Sequence, residues 1–554
     1  MKIRSYDCIK WILVRLKKYK LMLGLVFSLL FVYVLLQMLL PVLNRELLDN
    51  GLIAFNSKYS YKIIVVIFFI NIVCLVIQQI KEHIRLRLFR AFKSELSDEA
   101  YSHLFHLSYK NIEKRDVTEL IMTTETDVDM ISLVTDELFV MLLTQCAIFV
   151  GAMIGLFCID YKLAFIIVLY TPLKFFISIK LSNKNLEYTK EKNCLDQKYL
   201  GWFGNIASGL KEVRLFNQIS AVQSECSSKS KKRIGLLAKK SLLNSWKSTI
   251  NGFFNDLLIF LIYFIGITFA LTFHTLSIGS IIAFVSYTQK VIQPINFILD
   301  SRFVFSNILP SVNRHINFLK LDEERDYLGK QQIEPITQID FRNVSFSYDG
   351  NKKVLDNVSF SIKSGDKVAL IGNNGAGKST IIDLLLGLYN VTNGGIFINS
   401  FNLCDISLLT YRQHIAVVSQ NIYVFNDTIE NNITLGQKVD RDKLNHILDM
   451  CALTEFVEKV GFDYNTGVAG SRLSGGQRQK IALARALLRD ADVFIFDEVT
   501  SNIDQDSCHV VNALIKNELK GKIVLASTHD QGLISGMDKA VYLVNGKIES
   551  QKDI

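Results

Sequence analysis

Polar and apolar positions along the chain separate into two regimes. In the first 310 residues six apolar stretches occur, near 21–43, 60–81, 138–159, 162–181, 249–273 and 276–300, each long enough to cross about 30 Å of hydrocarbon as a helix. The third holds no charged residue from Leu138 to Ile159. Their connections alternate: 44–59, Asp160-Tyr161 and His274-Thr275 are short, whereas 82–137 and 182–248 are long and rich in Lys, Arg and Glu. Within the long segments the apolar positions keep helical spacing, as Ile84, Leu88, Phe92 and Leu96 do. The spans are therefore expected to continue as helices beyond the bilayer and to pair at tight turns near Tyr109 to Asp116 and near Ala207 to Glu212. From about Asp340 the pattern changes to short β-type runs separated by Gly, Asn and Asp, the alternation of an α/β domain. The predicted organisation is a transmembrane helical domain over 1–310, a polar linker over 311–339 and an α/β domain over 340–554.

Charge orients this arrangement. Seven basic residues precede the first span (Lys2, Arg4, Lys10, Arg15, Lys17, Lys18, Lys20), so the amino end is expected inside, the short loops outside and the long ones inside. The run from Leu21 to Leu43 exceeds a signal-peptide core and no small-residue cleavage site follows it, which predicts a retained anchor. Hydrophobic types make up 49% of the 554 residues and charged types 21%, a balance that excludes a disordered chain and an ordinary soluble enzyme. The net charge of +9 forms no single patch, so no nucleic-acid partner is expected. Nine cysteines lie scattered without a CxxC pair, which predicts reduced thiols rather than a zinc site or a disulfide framework.

The specific chemistry lies in the second regime. Lys367 to Ile371 reads as a buried strand, followed by Gly372, Asn373, Asn374, Gly375, Ala376, Gly377, Lys378, Ser379 and Thr380 and then a helical run. This is GxxxxGK[ST] in the strand, loop and helix setting that a phosphate loop needs. Glycines let backbone N–H groups close around phosphate oxygens, Lys378 reaches the terminal phosphates and the Ser379 hydroxyl can ligate Mg²⁺. A second buried strand, Val493 to Phe496, ends in Asp497-Glu498; there Asp497 is expected to hold Mg²⁺ through its water shell and Glu498 to polarise the attacking water. Between them Ser474, Gly475, Gly476 and Gln477 open a helix, a further anion site.

With the six spans, these residues make the chain resemble the ATP-binding cassette (ABC) transporters over essentially its whole length, specifically the exporter-type half-transporters in which a six-span bundle precedes one cassette domain. The resemblance implies ATP and Mg²⁺ as ligands, with the metal held at Ser379, Gln420 and Asp497. Tyr348 matches the aromatic that stacks on adenine, and Gln420 the glutamine that senses the metal and the membrane domain. Ser474, Gly475, Gly476 and the following Gln477 match the signature that meets the ATP of the opposite subunit. Asp504 matches the aspartate linking the two sites, and His529 the switch histidine acting with Glu498. Glu119 to Ile121 with Thr126 to Asp129, and Gly209 to Phe216, look like the two inner loops. Three departures stand out: 466–472 lacks the glutamate that exporters place before the signature, residues around Asp504 differ, and the sequence ends at Ile554 where relatives carry another helix or two.

The resemblance also implies a dimer, because each ATP is sandwiched between the loop of one domain and the signature of the other. Intact Glu498, His529 and signature favour two identical copies in the cytoplasmic membrane. Lys174, Asp256 and Lys290 lie away from the span ends, and a mixed-charge inner cavity suits a peptide with charged termini. The first span begins at Leu21 with no peptidase domain ahead of it, so a peptide cargo is expected to arrive matured. The expected function is ATP-driven export of a peptide or amphipathic small molecule by alternating access, with a lipid flippase or a siderophore importer as the alternatives.

Overall fold

The computed structural model describes residues 5–113, 115, 120–273, 276–324, 331–350, 352–500 and 505–554. They divide into two units, one made of Met1–Phe105 with Val117–Leu321 and the other of His106–Asp116 with Asp322–Ile554.

A backbone N–H or C=O left unpaired in hydrocarbon costs several kcal/mol, so a segment that enters lipid stays helical until it leaves. The helices obey this. They are α1 (Ser5–Leu16), α2 (Lys20–Glu46), α3 (Ser57–His106), the short α4 (Tyr109–Glu113), the run α5 (Met122–Ile159), α6 (Tyr161–Ser208), the short α7 (Leu210–Leu215), α8 (Ile219–Phe273) and α9 (Ile278–Phe318). At 1.5 Å per residue the 50, 48 and 55 residues of α3, α6 and α8 extend roughly 70–80 Å, more than twice the hydrocarbon thickness. Where tight turns were expected at the inner ends, α4 and α7 stand instead, each a short helix of its own. Asp160 makes the two-residue outer connection possible by capping α6, its Oδ1 accepting from the N–H groups of Lys162 and Leu163 at 2.8 and 2.9 Å. The other short outer connection, His274-Thr275, lies outside the described residues.

Among the described residues five helical runs are long and apolar enough to cross a membrane, against the six stretches expected. The sixth stretch, 276–300, lies in α9, where Gln289, Lys290 and Gln293 dilute the apolar sequence. The reason is packing. Residues Ala283, Phe284, Tyr287, Thr288 and Val291 of α9 are buried against α2, α5, α6 and α8, so this helix has less lipid to face than the others. Lipid-facing character shows elsewhere in exposed Phe31, Phe68, Leu169 and Phe264. Ion pairs fasten the extensions: Arg15 donates to Glu99 at 2.7 Å, Lys18 sits 2.9 Å from Glu95, and Arg314 grips the buried Asp127 with two hydrogen bonds.

The second unit carries two sheets. β1 (Gln338–Phe346), β2 (Leu355–Lys363), β4 (Asn393–Ile398) and β5 (Phe401–Asn402) form an antiparallel sheet in the order β2-β1-β4-β5. β3 (Lys367–Ile371), β6 (Ile415–Val418), β7 (Val493–Asp497), β8 (Ile523–Ser527), β9 (Lys539–Val544) and β10 (Lys547–Asp553) form the other, ordered β10-β9-β3-β8-β7-β6 and parallel except at β10. Period-two alternation sends Val368, Leu370, Ile495 and Leu525 to one core and Ala369, Phe494, Phe496 and Ala526 to the other. Both faces are covered, which is why these strands are continuous apolar runs.

One close approach in the helical unit has no room for a side chain. A Cβ on Gly155 of α5 would stand 2.6 Å from the Tyr287 ring of α9, and that tyrosine's hydroxyl donates to the Met38 carbonyl of α2. Gly155→Leu is expected to destabilise the helical unit by about 1–3 kcal/mol through overpacking. Thermal melting of detergent-purified protein checks this, and an unchanged melting temperature would refute the three-helix contact.

Candidate functional site

Three parallel strands deliver the site. The loop after β3 turns at Gly375 (φ 79°) and Gly377 (φ 109°), left-handed conformations that a side chain opposes, and the chain then enters α10 (Lys378–Leu385). The first turn of α10 leaves backbone N–H groups without intrahelical partners, aimed where a phosphate can accept them. Lys378 is 5% exposed, and its Nζ donates to the Gly372 carbonyl at 2.6 Å and to His529 Nε2 at 2.9 Å. An ammonium only donates, so that imidazole nitrogen accepts and carries no proton. Residues 373–380 line a cleft of about 330 Å³ together with Gln420 and Glu498.

Glu498, one residue beyond β7, sits at φ 47°, a left-handed backbone that is uncommon outside glycine. Its N–H donates to the Ser527 carbonyl and hydroxyl at 3.0 and 3.1 Å, which holds the turn. Its carboxylate takes a 2.7 Å hydrogen bond from Gln420 Nε2 and comes within 4.0 Å of Lys378 Nζ. Asp497 accepts from the Ser527 hydroxyl at 2.5 Å. On α10, burial and then the carboxylates of Asp497 and Glu113 push the Asp383 carboxyl up to about 6.

The signature segment begins α11 (Gly475–Leu488). Ser474 caps it, its Oγ accepting from Gln477 N–H at 3.1 Å while Gln477 Oε1 accepts from Ser474 N–H at 2.9 Å. Gly475 lines a second depression of about 420 Å³ with Arg478, and Gln420 and Glu498 form its shared wall with the phosphate cleft. Tyr348 lies beside the phosphate loop, its hydroxyl 3.1 Å from Thr380 Oγ1 and its ring edge-on to Phe346 and Tyr389.

The structure thus brings together Gly372, Asn373, Asn374, Gly375, Ala376, Gly377, Lys378, Ser379 and Thr380 with Gln420, Glu498 and His529, and puts Asp497 behind them through Ser527. It keeps Ser474, Gly476 and Gln477 out of the phosphate cleft of their own chain. Asp504 and Glu119 lie outside the described residues. In the membrane unit Lys174 and Lys290 are held between helices, but Asp256 is exposed. Lys174 is received by Asn255, the neighbour of Asp256, rather than by Asp256 itself. Sequence reasoning missed Ser527, which the structure buries fully and whose signal in the sequence was a hydroxyl closing the apolar run from Ile523. It also missed Lys81, Glu113, Asp383 and Tyr389.

Two family models match the chain, the ABC transporter model over residues 355–501 and the ABC transporter transmembrane region over 23–295. An ATP-dependent lipid A-core flippase of Legionella pneumophila (strain Paris) is 28% identical over 478 residues, covering 83% of this chain and 79% of that protein. A putative export ATP-binding/permease protein of Rickettsia bellii is 26% identical over 514 residues, covering 92% and 89%. A solved structure of a bacterial Atm1-family ABC exporter with ATP bound shares the fold at a TM-score of 0.81 with 18% identity, covering 96% of this chain and 95% of the other.

Lys378→Ala removes the buried cation of the phosphate cleft. It is expected to weaken binding of a fluorescent ATP analogue by about ten- to a hundredfold, since a charge-assisted hydrogen bond contributes roughly 1.5–3 kcal/mol. Titration of the purified protein reads this directly, and an unchanged Kd would remove Lys378 from the nucleotide site.

Proposed function

The chain belongs to the ABC transporters as an exporter-type half-transporter, a multi-pass membrane ATPase that couples hydrolysis to export, and we propose that it works as a dimer carrying an amphipathic substrate of negative charge out across the cytoplasmic membrane. In the phosphate cleft, incoming phosphate oxygens replace the Gly372 carbonyl and His529 as acceptors of the Lys378 ammonium. The amides at the start of α10 take the remaining oxygens. Glu498, aimed into the cleft by its left-handed backbone and by Gln420, acts as the base that orients and deprotonates water, and His529 contacts the terminal phosphate once Lys378 has released it.

The donor set fits Mg²⁺, a cation that selects oxygen ligands. Ser379 offers an exposed hydroxyl in the cleft, Gln420 keeps its amide oxygen free while its nitrogen serves Glu498, and Asp497 has one carboxylate oxygen left by Ser527. When bound, the ion neutralises charge developing on the phosphates.

The capping geometry supports the dimer. Ser474 and Gln477 satisfy each other, but the first-turn amides of α11 have no intrahelical partner and a Cβ at Gly475 would meet nothing within 4 Å. This open helix start, outside the phosphate cleft of its own chain, supports a reading in which it closes on the ATP of a second copy. Two identical chains give two equivalent sites.

The observation that carries the substrate class is cationic. Lys290 donates to Gln37 Oε1 at 2.6 Å, Lys174, at 1% exposure, to Asn255 Oδ1 at 2.6 Å, and Lys81 lies 5.6 Å from the Tyr33 ring centroid. Among the described residues none of the three has a carboxylate at ion-pair distance. An ammonium has three N–H groups and a full charge, so a neutral amide or a ring leaves it undersupplied in the membrane. An anionic headgroup on an apolar body supplies both needs. A lipid is a second reading within this class, favoured by the relatives named lipid A-core flippases.

Two measurements check the proposal. Glu498→Gln is expected to lower phosphate release by about 10²- to 10⁴-fold while the ATP analogue still binds, and normal hydrolysis would remove Glu498 as the base. In proteoliposomes, ATPase activity is expected to rise with a phosphorylated glycolipid or an acidic amphipathic peptide and not with a cationic amphiphile. Lys290→Gln is expected to cut that stimulation about tenfold with unstimulated activity within twofold of the parent. Equal stimulation by the cationic amphiphile, or undiminished stimulation in the variant, would refute the anionic class.

A further inference from the structure

The left-handed backbone at Glu498 is one that its own side chain opposes. Such a conformation persists only where neighbours over-determine it. Ser527 accounts for the upstream half of the turn, since its carbonyl and its hydroxyl both take the Glu498 N–H. The downstream half is held from a different element. Gln479, in the second turn of α11, donates from Nε2 to the carbonyl of Val499, the residue after Glu498. A carbonyl only accepts, so the amide nitrogen and not the amide oxygen faces Val499.

Packing alone does not ask for an amide at this place. Gln479 is 2% exposed and Val499 4%, and the helix neighbours Ile481, Ala482 and Leu483 belong to the same apolar core as Val499, Phe494 and Phe496. Among the described residues Gln479 Oε1 has no hydrogen-bond partner, and a buried acceptor left unpaired is destabilising. A methionine, unbranched and apolar, fills such a space without that cost. The helix that carries Gln479 is itself fixed, because Arg485 donates to the Asn432 carbonyl at 2.8 Å and to the Tyr423 carbonyl at 3.1 Å. A rigid element thus presents one donor to the turn. Gln479 lines the depression of about 420 Å³ together with Glu498, Val499, Arg478 and Gln420, whose amide holds the Glu498 carboxylate at 2.7 Å.

We propose that Gln479 is a positioning residue for hydrolysis: reaching out of the signature helix, it pins the Val499 carbonyl and so keeps Glu498 in the left-handed backbone that aims its carboxylate into the phosphate cleft. With Ser527 on one side and Gln479 on the other, the turn is clamped at both ends, and relaxing Glu498 to an ordinary φ requires one clamp to let go. Loss of the Gln479 donor frees the downstream end. The carboxylate then samples other directions, while the groups that hold the phosphates, Lys378 and the amides of the loop, stay where they are. The inference rests on Glu498 as the base.

Gln479→Met tests it, because length and burial stay and the donor goes. Steady-state ATPase activity of the full-length protein in proteoliposomes is read beside the Kd of the fluorescent analogue. In the variant kcat is expected to fall about tenfold, the loss of one hydrogen bond to a buried carbonyl, with Kd within twofold of the parent. Gln479→Glu supplies a second readout: a carboxyl group donates to the Val499 carbonyl only while protonated, and burial favours that form. Its kcat relative to the parent's is expected to rise about threefold as the pH falls from about 8 to about 6, whereas the ratio for Gln479→Met stays flat. In a Glu498→Gln background Gln479→Met is expected to change the residual rate less than twofold, since both act through one carboxylate. An unchanged kcat in Gln479→Met, a Kd that weakens in step with kcat, a flat ratio in Gln479→Glu or additive losses in the double variant would overturn the proposal. Normal hydrolysis in Glu498→Gln alone removes the base and the proposal with it, whereas failure confined to the Gln479 variants leaves the base in place.

Discussion

Hydrocarbon offers the backbone no hydrogen-bond partner, and the architecture of the first unit follows from that shortage. A chain that must pair every N–H with its own carbonyls travels as a helix, and it stops only where a side chain or water takes over the orphaned groups. Asp160 is one such place, with two amides on one carboxylate oxygen. At the inner ends the same logic extends α3, α6 and α8 far beyond the bilayer, where Lys, Arg and Glu replace apolar residues without interrupting the ladder. Rods of that length carry a displacement over their whole extent, which suits a protein whose fuel and cargo are handled in separate units.

In the second unit the corresponding constraint is parallel register. Leu370 of β3 and Asp497 of β7 both pair with Ser527 of β8, so three strands finish at one level. The phosphate loop, Glu498 and Thr528-His529 then emerge together at one edge, where ligands of open α/β sheets bind. Ser527 is the hub of that edge: it is fully buried, donates to Asp497 and receives the amide of Glu498. A residue that never meets the nucleotide thereby fixes the angle of one that does.

Much of this was legible in the sequence, for identifiable reasons. Gly375, Gly377 and Lys378 have spacing that only one backbone path accommodates, and long apolar runs bounded by basic residues have one solution in a bilayer. Features that depend on three-dimensional neighbours were not legible. Nothing in the order of residues says that Lys174 meets Asn255 rather than Asp256, because one helical step turns a side chain by 100° and the partner is 81 positions away. The sixth stretch is less apolar than the others for a related reason, since the polarity a helix tolerates is set by what surrounds it. Tyr389 and Glu113, 276 residues apart, carried no signal at all.

The joint at Leu107 and Glu323 has a kinematic consequence. The chain passes between the two units at Phe105, at Asp116 and at Leu321, and around the first and last of these passages the strands are fastened to each other by the Leu107–Glu323 bridge and the bonds to Asp322. Inside the second unit the segment that follows α3 and the segment that follows α9 are therefore cross-tied, and neither can peel away without breaking the other's hydrogen bonds.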